Sequence, residues 1–145
     1  MSMRDVFFDL GRQNALALRA NAHEMTGTQI IDREHDAPVF DGKKDYTDFP
    51  VGSPVRDEGQ VWLLLQPHNA AYYVGRPSSL RALWGLAHTK NPRKAKPWVA
   101  PLGTSGMYMT GECYKAADGA VFRALADNLV HDAAAYPQGW EEVAL

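Results

Sequence analysis

The chain has 145 residues, 46% of them hydrophobic and 22% charged, which suits one ordinary domain with a packed core and excludes wholesale disorder. A formal net charge of −2 gives no global cationic field for nucleic acid or acidic membranes. The single cysteine excludes an intramolecular disulfide and an all-sulfur zinc site, no apolar run approaches the ~20 residues that cross a bilayer, and residues 1–18 lack the basic-then-apolar pattern of a secretory signal.

In chain order, residues 10–25 carry Ala15, Leu16, Ala17, Leu18, Ala20, Ala22 and Met25 without a proline and predict a helix ending at Thr26-Gly27. Leu18 and Met25, with Leu16 on a flank, form a thin apolar stripe that packs either on the body or on a copy of itself. A homo-oligomer through this helix is therefore one expectation. Residues 28–31 read as a brief strand, and residues 32–48, dense in Asp, Lys and Gly, as an irregular connector.

Residues 51–65 predict a hairpin, with Asp57-Glu58-Gly59 as the turn and Gln60-Val61-Trp62-Leu63-Leu64-Leu65 as the returning strand. Residues 79–88 predict a short helix capped by Ser78 or Ser79, since Leu80, Leu83, Trp84 and Ala87 recur at spacings of three and four. Residues 90–101, with three prolines and four basic residues, predict a surface connection.

The last third repeats the middle one. Gly52 matches Gly111, Gly59 matches Gly119, Trp62 matches Phe122, Leu65 matches Leu125 and Trp84 matches Trp140, with a turn one residue longer in the second copy. The self-similarity implies two copies of one small β unit. An isolated hairpin is marginal in water, so each copy needs a cover, and a returning indole supplies it. Trp62, Leu65, Trp84, Phe122, Leu125 and Trp140 are accordingly the expected framework. In the second copy Val121, Arg123 and Leu125 share one strand face, and Phe122 and Ala124 the other.

The run Tyr108-Met109-Thr110-Gly111-Glu112, then Asp118-Gly119-Ala120-Val121-Phe122-Arg123-Ala124, then Asn128, Pro137 and Gly139-Trp140-Glu141 resembles the small chitin-binding type of carbohydrate-binding module, families five and twelve. Cys113-Tyr114 stands where that pattern has a valine and its neighbour. The segment from Gly52 to Trp84 resembles the same pattern more loosely. The whole chain, with its N-terminal helix, Gly59-Gln60-Val61-Trp62, Gln66-Pro67-His68-Asn69, Arg81-Ala82-Leu83-Trp84 and the stretch Trp98 to Met109, is similar to proteins encoded in the tail regions of phages and prophages of Gram-positive bacteria.

The resemblance implies a non-enzymatic, tail- or baseplate-associated structural protein that contacts other tail proteins, located in the virion tail or in the host cytoplasm during assembly. Its alternative implication is recognition of N-acetylated cell-wall or chitin-like glycans through surface aromatics. Candidate contacts are Tyr72, Tyr73 and Asn69 in the middle copy and Tyr108, Tyr136 and Trp140 in the last, with Trp140 either platform or core and Tyr72 and Tyr73 either contacts or loop anchors. Asn128 and Gln138 are candidate hydrogen-bonding neighbours.

Catalytic signals are weak. His68 and His88 lack the nucleophile and carboxylate spacing of a hydrolase, and Asp57-Glu58 and Glu141-Glu142 are adjacent pairs unlike the separated carboxyls of a glycosidase. His23, His35 and His131 are scattered, so no metal site and no cofactor are expected. Lys90, Arg93, Lys94 and Lys96 read as a solvated connector, and Cys113 as a small apolar strand residue. The expected fold is mainly β with an N-terminal helix and two antiparallel hairpin units, divided into residues 1–48 (helix and connector), 49–105 (first unit with its basic connector) and 106–145 (second unit).

Overall fold

The computed structural model describes residues 2–145, except for the side chains of Phe7 and Phe8. Helix α1 spans Met3–Asn21 and starts earlier than the alanine-rich run suggests, because Ser2 and Asp5 form a reciprocal cap. Among its described residues Leu18 is buried, while Met3, Val6, Leu10 and Leu16 are exposed.

After a 3-10 turn at Ala22–Glu24, a second helix, α2, spans Gly27–Asp32. A helix end and a strand were the expectation over this stretch, and the capping chemistry explains the difference. Thr26 accepts from the Gln29 N–H at 3.2 Å, and the Gln29 side chain accepts from the Thr26 N–H at 2.9 Å, so Thr26 starts a helix. Ile30 and Ile31, whose β-branching favours strands, are instead buried with Ala22, Val61 and Ala87. Gly27 is required by close approach, since a Cβ there would lie 2.4 Å from the His88 carbonyl oxygen.

The first unit is an antiparallel sheet of β1 (Pro54–Asp57), β2 (Gln60–Leu64) and β3 (Trp84–Leu86) in that order. Glu58 and Gly59 turn the hairpin with φ of 53° and 74°, the left-handed pair that matches strand twist. One face places Val55, Trp62, Leu64 and Trp84 in a core with Tyr46 and Ala70, and Phe40 and Phe49 pack against it. The other face, Val61 and Leu63, meets the helical segment.

The predicted helix over 79–88 is absent. Pro77–Ser79 forms a 3-10 turn, Leu80 O accepts from both Leu83 N–H and Trp84 N–H at 3.0 Å, and the chain then enters β3. The spacing of three and four thus reflects one turn, ended by pairing of Leu64 with Trp84 and Leu63 with Gly85.

The second unit comprises β5 (Cys113–Lys115), β6 (Val121–Ala124) and β7 (Trp140–Val143), antiparallel in that order. The short strand β4 (Lys96–Pro97) lies parallel to β5. Tyr108, Tyr114, Ala124, Leu129 and Trp140 form its core, packed by Trp98, Phe122 and Ala133. The residues over 90–101 therefore contribute a strand and a core-lining indole as well as connection. Likewise Phe40 and Tyr46, from the connector ahead of the first hairpin, belong to the first unit's core.

The two units share a hydrogen-bond frame. Gly52 N–H donates to Leu64 O at 2.7 Å, Leu64 N–H to Ser53 O at 2.9 Å and Leu65 N–H to Leu83 O at 2.8 Å. Gly111 to Ala124, Ala124 to Glu112 and Leu125 to Gly139 repeat these bonds, each at 2.8 Å. Gly52 and Gly111 hold φ of 94° and 90°, a region that favours glycine. Trp84 opens β3 opposite Leu64, and Trp140 opens β7 opposite Ala124. Tyr46 meets Trp84 edge-on at 5.2 Å and 88°, as Tyr108 meets Trp140 at 5.4 Å and 71°.

Two framework assignments are corrected. Leu65 and Leu125 are 43% and 50% exposed. Each follows the last residue of its strand, one step beyond Leu64 or Ala124, and the strand's period of two turns it away from the tryptophan side. Leu64 and Ala124 are the buried residues there.

Candidate functional site

A groove of about 780 Å³ opens on the second unit. The strand pair β5 and β6 supplies Tyr114 and Phe122, which face each other across the ladder and stack at 5.5 Å and 25°. Trp140, at the start of β7, stands edge-on to Tyr114 at 4.8 Å and 88°. Trp98, just after β4, closes the set at 4.9 Å from Tyr114 and 6.0 Å from Trp140. Ala116, Ala117, Ala133, Ala134 and Pro137 border the rings, and side chains this small leave the space open.

The buried rings have their polar atoms engaged. Trp140 Nε1 donates to His131 O at 2.8 Å, and Tyr114 Oη accepts from Ala133 N–H at 2.8 Å. Burial pushes the Tyr114 phenol above its ordinary value, and the charges of Asp132 and Asp118 act in the same direction. Those two carboxylates also line the groove. Trp98 and Phe122 are half-buried; one face of Phe122 stacks on Tyr114 and one of Trp98 on Tyr108, and both rings border the groove. A smaller hollow of about 400 Å³ lies beside the groove, lined by Trp98, Pro97, Lys115 and Gly119.

The corresponding place in the first unit is filled. Trp62, the counterpart of Phe122, is 1% exposed. The Arg81 guanidinium lies 5.0 Å from the center of its ring and is held by Ser78 O and Ala100 O. Arg76 adds an ion pair to Asp57 at 2.7 Å.

Behind the groove, Trp98 and Tyr108 stack at 5.0 Å and 11°, and Tyr108 stacks on His88 at 3.7 Å and 21°. His88 Nε2 bonds to Gly106 O at 2.8 Å. Burial pushes its pKa from 6.5 down to about 4, so the imidazole is neutral near pH 7. Burial also raises the Tyr108 phenol.

The residues singled out from sequence do not form one site. Tyr108 is 2% exposed and is corrected from a contact residue to a core ring, because it occupies the position that Tyr46 holds in the first unit. Trp140 is 5% exposed and forms the groove's wall rather than a free platform. Tyr72 and Tyr73 are exposed on a 3-10 turn in the first unit. Asn69 caps that turn by accepting from Ala71 N–H at 3.0 Å. Tyr136 is half-exposed, with its ring against Gly139.

Trp98, Tyr114, Asp118 and Asp132 were missed as site residues. Tyr114 carried a usable signal, since Cys113-Tyr114 departs from the resembled pattern at that place. Trp98 carried none, because a parallel strand delivers it from outside the repeat.

Among the described residues no group of three His, Cys, Asp or Glu side chains is placed to hold a metal ion. No described helix is long and apolar enough to cross a membrane. Neither a protein-family model nor a curated protein matches the chain.

Proposed function

We propose that the chain is a non-catalytic glycan-binding protein whose second unit takes a sugar ring in the aromatic groove. One observation carries this reading: the groove over Phe122 is open and bordered by alanines, whereas its counterpart over Trp62 is filled by Arg81. Flat apolar sugar faces suit half-buried ring faces such as Trp98 and Phe122, and a concave, mostly apolar site with a few polar groups is the usual form of a ligand pocket. Retention on an immobilised amino-sugar polymer, acetylated or not, tests it. The wild-type chain is expected to be retained and Trp98→Ala to elute early, while failure of the wild-type chain to bind either polymer would reject the reading.

A second reading, a structural connector that contacts other proteins such as phage tail or baseplate components, is favored by α1. Met3 is 71% exposed, Val6 45% and Leu10 51%, and their spacing of three and four places them on one face. Light scattering with neighbouring tail proteins, on the full chain and on a chain shortened by residues 2–16, tests this reading. Loss of a complex supports it, and a complex that survives the deletion refutes the role of α1.

A further inference from the structure

The charge of the groove is one-sided. Its wall joins the rings of Trp98, Phe122 and Trp140 to the carboxylates of Asp118 and Asp132, and among the described residues no Lys, Arg, His, Asn, Gln, Ser or Thr lines it. Asp118 Oδ1 accepts from Ala120 N–H and Asp132 Oδ1 from Ala135 N–H, both at 3.0 Å. These local turn bonds fix each carboxylate through one oxygen. Neither acid enters a salt bridge among the described residues. Lys115 lines the neighbouring hollow and, one residue on from Tyr114 in β5, projects from the opposite face of the strand.

Two like charges beside apolar rings, with no cation in the wall, favor a positively charged ligand. The aromatic faces attract a cation in the same sense. The acetamide of an N-acetylated sugar carries no charge to meet these carboxylates, whereas an ammonium brings both a positive charge and N–H donors to acceptors.

We infer that the groove prefers an amino sugar whose amine is free and protonated over its N-acetylated counterpart. The sugar body lies on the faces of Trp98 and Phe122, and the ammonium is directed toward Asp118 and Asp132. This rests on the glycan-binding reading above and narrows its ligand.

Calorimetric titration of the full chain in mildly acidic buffer tests it, using glucosamine oligomers, N-acetylglucosamine oligomers of equal length, and choline as a cation without a sugar. Glucosamine oligomers are expected to bind tightest, with an affinity that falls as salt is added. Asp132→Asn, at the half-buried position, is expected to weaken them about fivefold, and the exposed Asp118→Asn by less. Both variants should narrow the preference for glucosamine over N-acetylglucosamine oligomers, since asparagine removes the charge that attracts the ammonium and brings an amide donor to the acetamide oxygen. Asparagine keeps an oxygen to accept the turn N–H, and unchanged thermal melting confirms that each variant is folded.

Equal or tighter binding of the N-acetylated oligomers would overturn this inference while leaving the glycan-binding reading standing. Choline binding as tightly as the glucosamine oligomers would overturn the requirement for a sugar body. Absence of binding by both oligomers would overturn the inference together with the reading beneath it.

Discussion

The two units share a hydrogen-bond frame and differ in what their long connections do to the aromatic surface. In the first, the connection over 65–83 carries Arg81 onto Trp62 and Arg76 onto Asp57, so the loop seals the ring. In the second, the shorter connection over 125–139 brings Ala133, Ala134 and Pro137 to the edge of the rings and leaves a groove. The opposite sheet faces differ too. Val61 and Leu63 are covered by Ala22, Ile30 and Ile31, whereas Arg123 in the second unit pairs with Glu141 at 3.2 Å. One frame thus serves as scaffold or as site according to the side chains its loop delivers.

The closing tryptophans give the largest expected effect. Trp84 is fully buried among Phe40, Tyr46 and His68, and Trp84→Ala is expected to cost about 3–5 kcal/mol of unfolding free energy. Trp140→Ala should fall near the lower end of that range, because one side of its indole borders the groove. Urea denaturation of both variants measures the difference. A larger loss at Trp140 would break the distinction between a sealed unit and an open one.

His88 joins the units and makes their stability depend on pH. Its folded-state pKa of about 4 lies below the ordinary 6.5, so the unfolded chain binds this proton more readily. The contribution is complete above about pH 6.5 and is lost as pH falls toward 4, with a total of about 3 kcal/mol. Denaturant melts at pH 7 and pH 4.5, compared with those of His88→Gln, isolate it. The wild-type chain should lose more stability on acidification than the variant, and parallel losses would contradict the buried, neutral imidazole.

The paired glycines sharpen the comparison at a smaller scale. Both need positive φ, but a Cβ at Gly52 would lie 3.3 Å from the His23 backbone, while one at Gly111 would meet the Lys90 side chain at 3.4 Å. Gly52→Ala is expected to cost about 2 kcal/mol and Gly111→Ala about 1 kcal/mol, read from thermal melts. Equal costs would show that the helical segment does not constrain the first unit at this turn.

An effect as small as that of Gly111→Ala is expected at the Arg81 seal. Arg81→Ala should change stability by about 1 kcal/mol and uncover Trp62, increasing acrylamide quenching of tryptophan fluorescence. Unchanged quenching would mean that the guanidinium is not what closes the first unit.

The duplicated frame was legible because glycines at positive φ and closing indoles are requirements of backbone and core that leave a fixed spacing. Tyr46 and Tyr108 escaped that comparison, since they stand at different distances from Gly52 and Gly111 and are matched only by their contacts with Trp84 and Trp140. The helix over Gly27–Asp32 replaces the expected strand over 28–31 because the Thr26–Gln29 cap starts a helix there. The spacing over 79–88 predicts a helix because a single turn imitates helical spacing. The groove was the least legible part. Trp98 reaches it through a parallel pairing, and its acids sit in turns where aspartate is already expected for its bond to the backbone.

The four tryptophans divide evenly, with Trp62 and Trp84 in the sealed unit and Trp98 and Trp140 on the groove. Their indole N–H resonances, followed by NMR during titration with glucosamine oligomers, report on both units in one experiment. Movement of the Trp98 and Trp140 signals with Trp62 and Trp84 unmoved is the predicted result. Movement of Trp62 or Trp84 first, or of none of the four, would contradict the division between a closed scaffold and an open site.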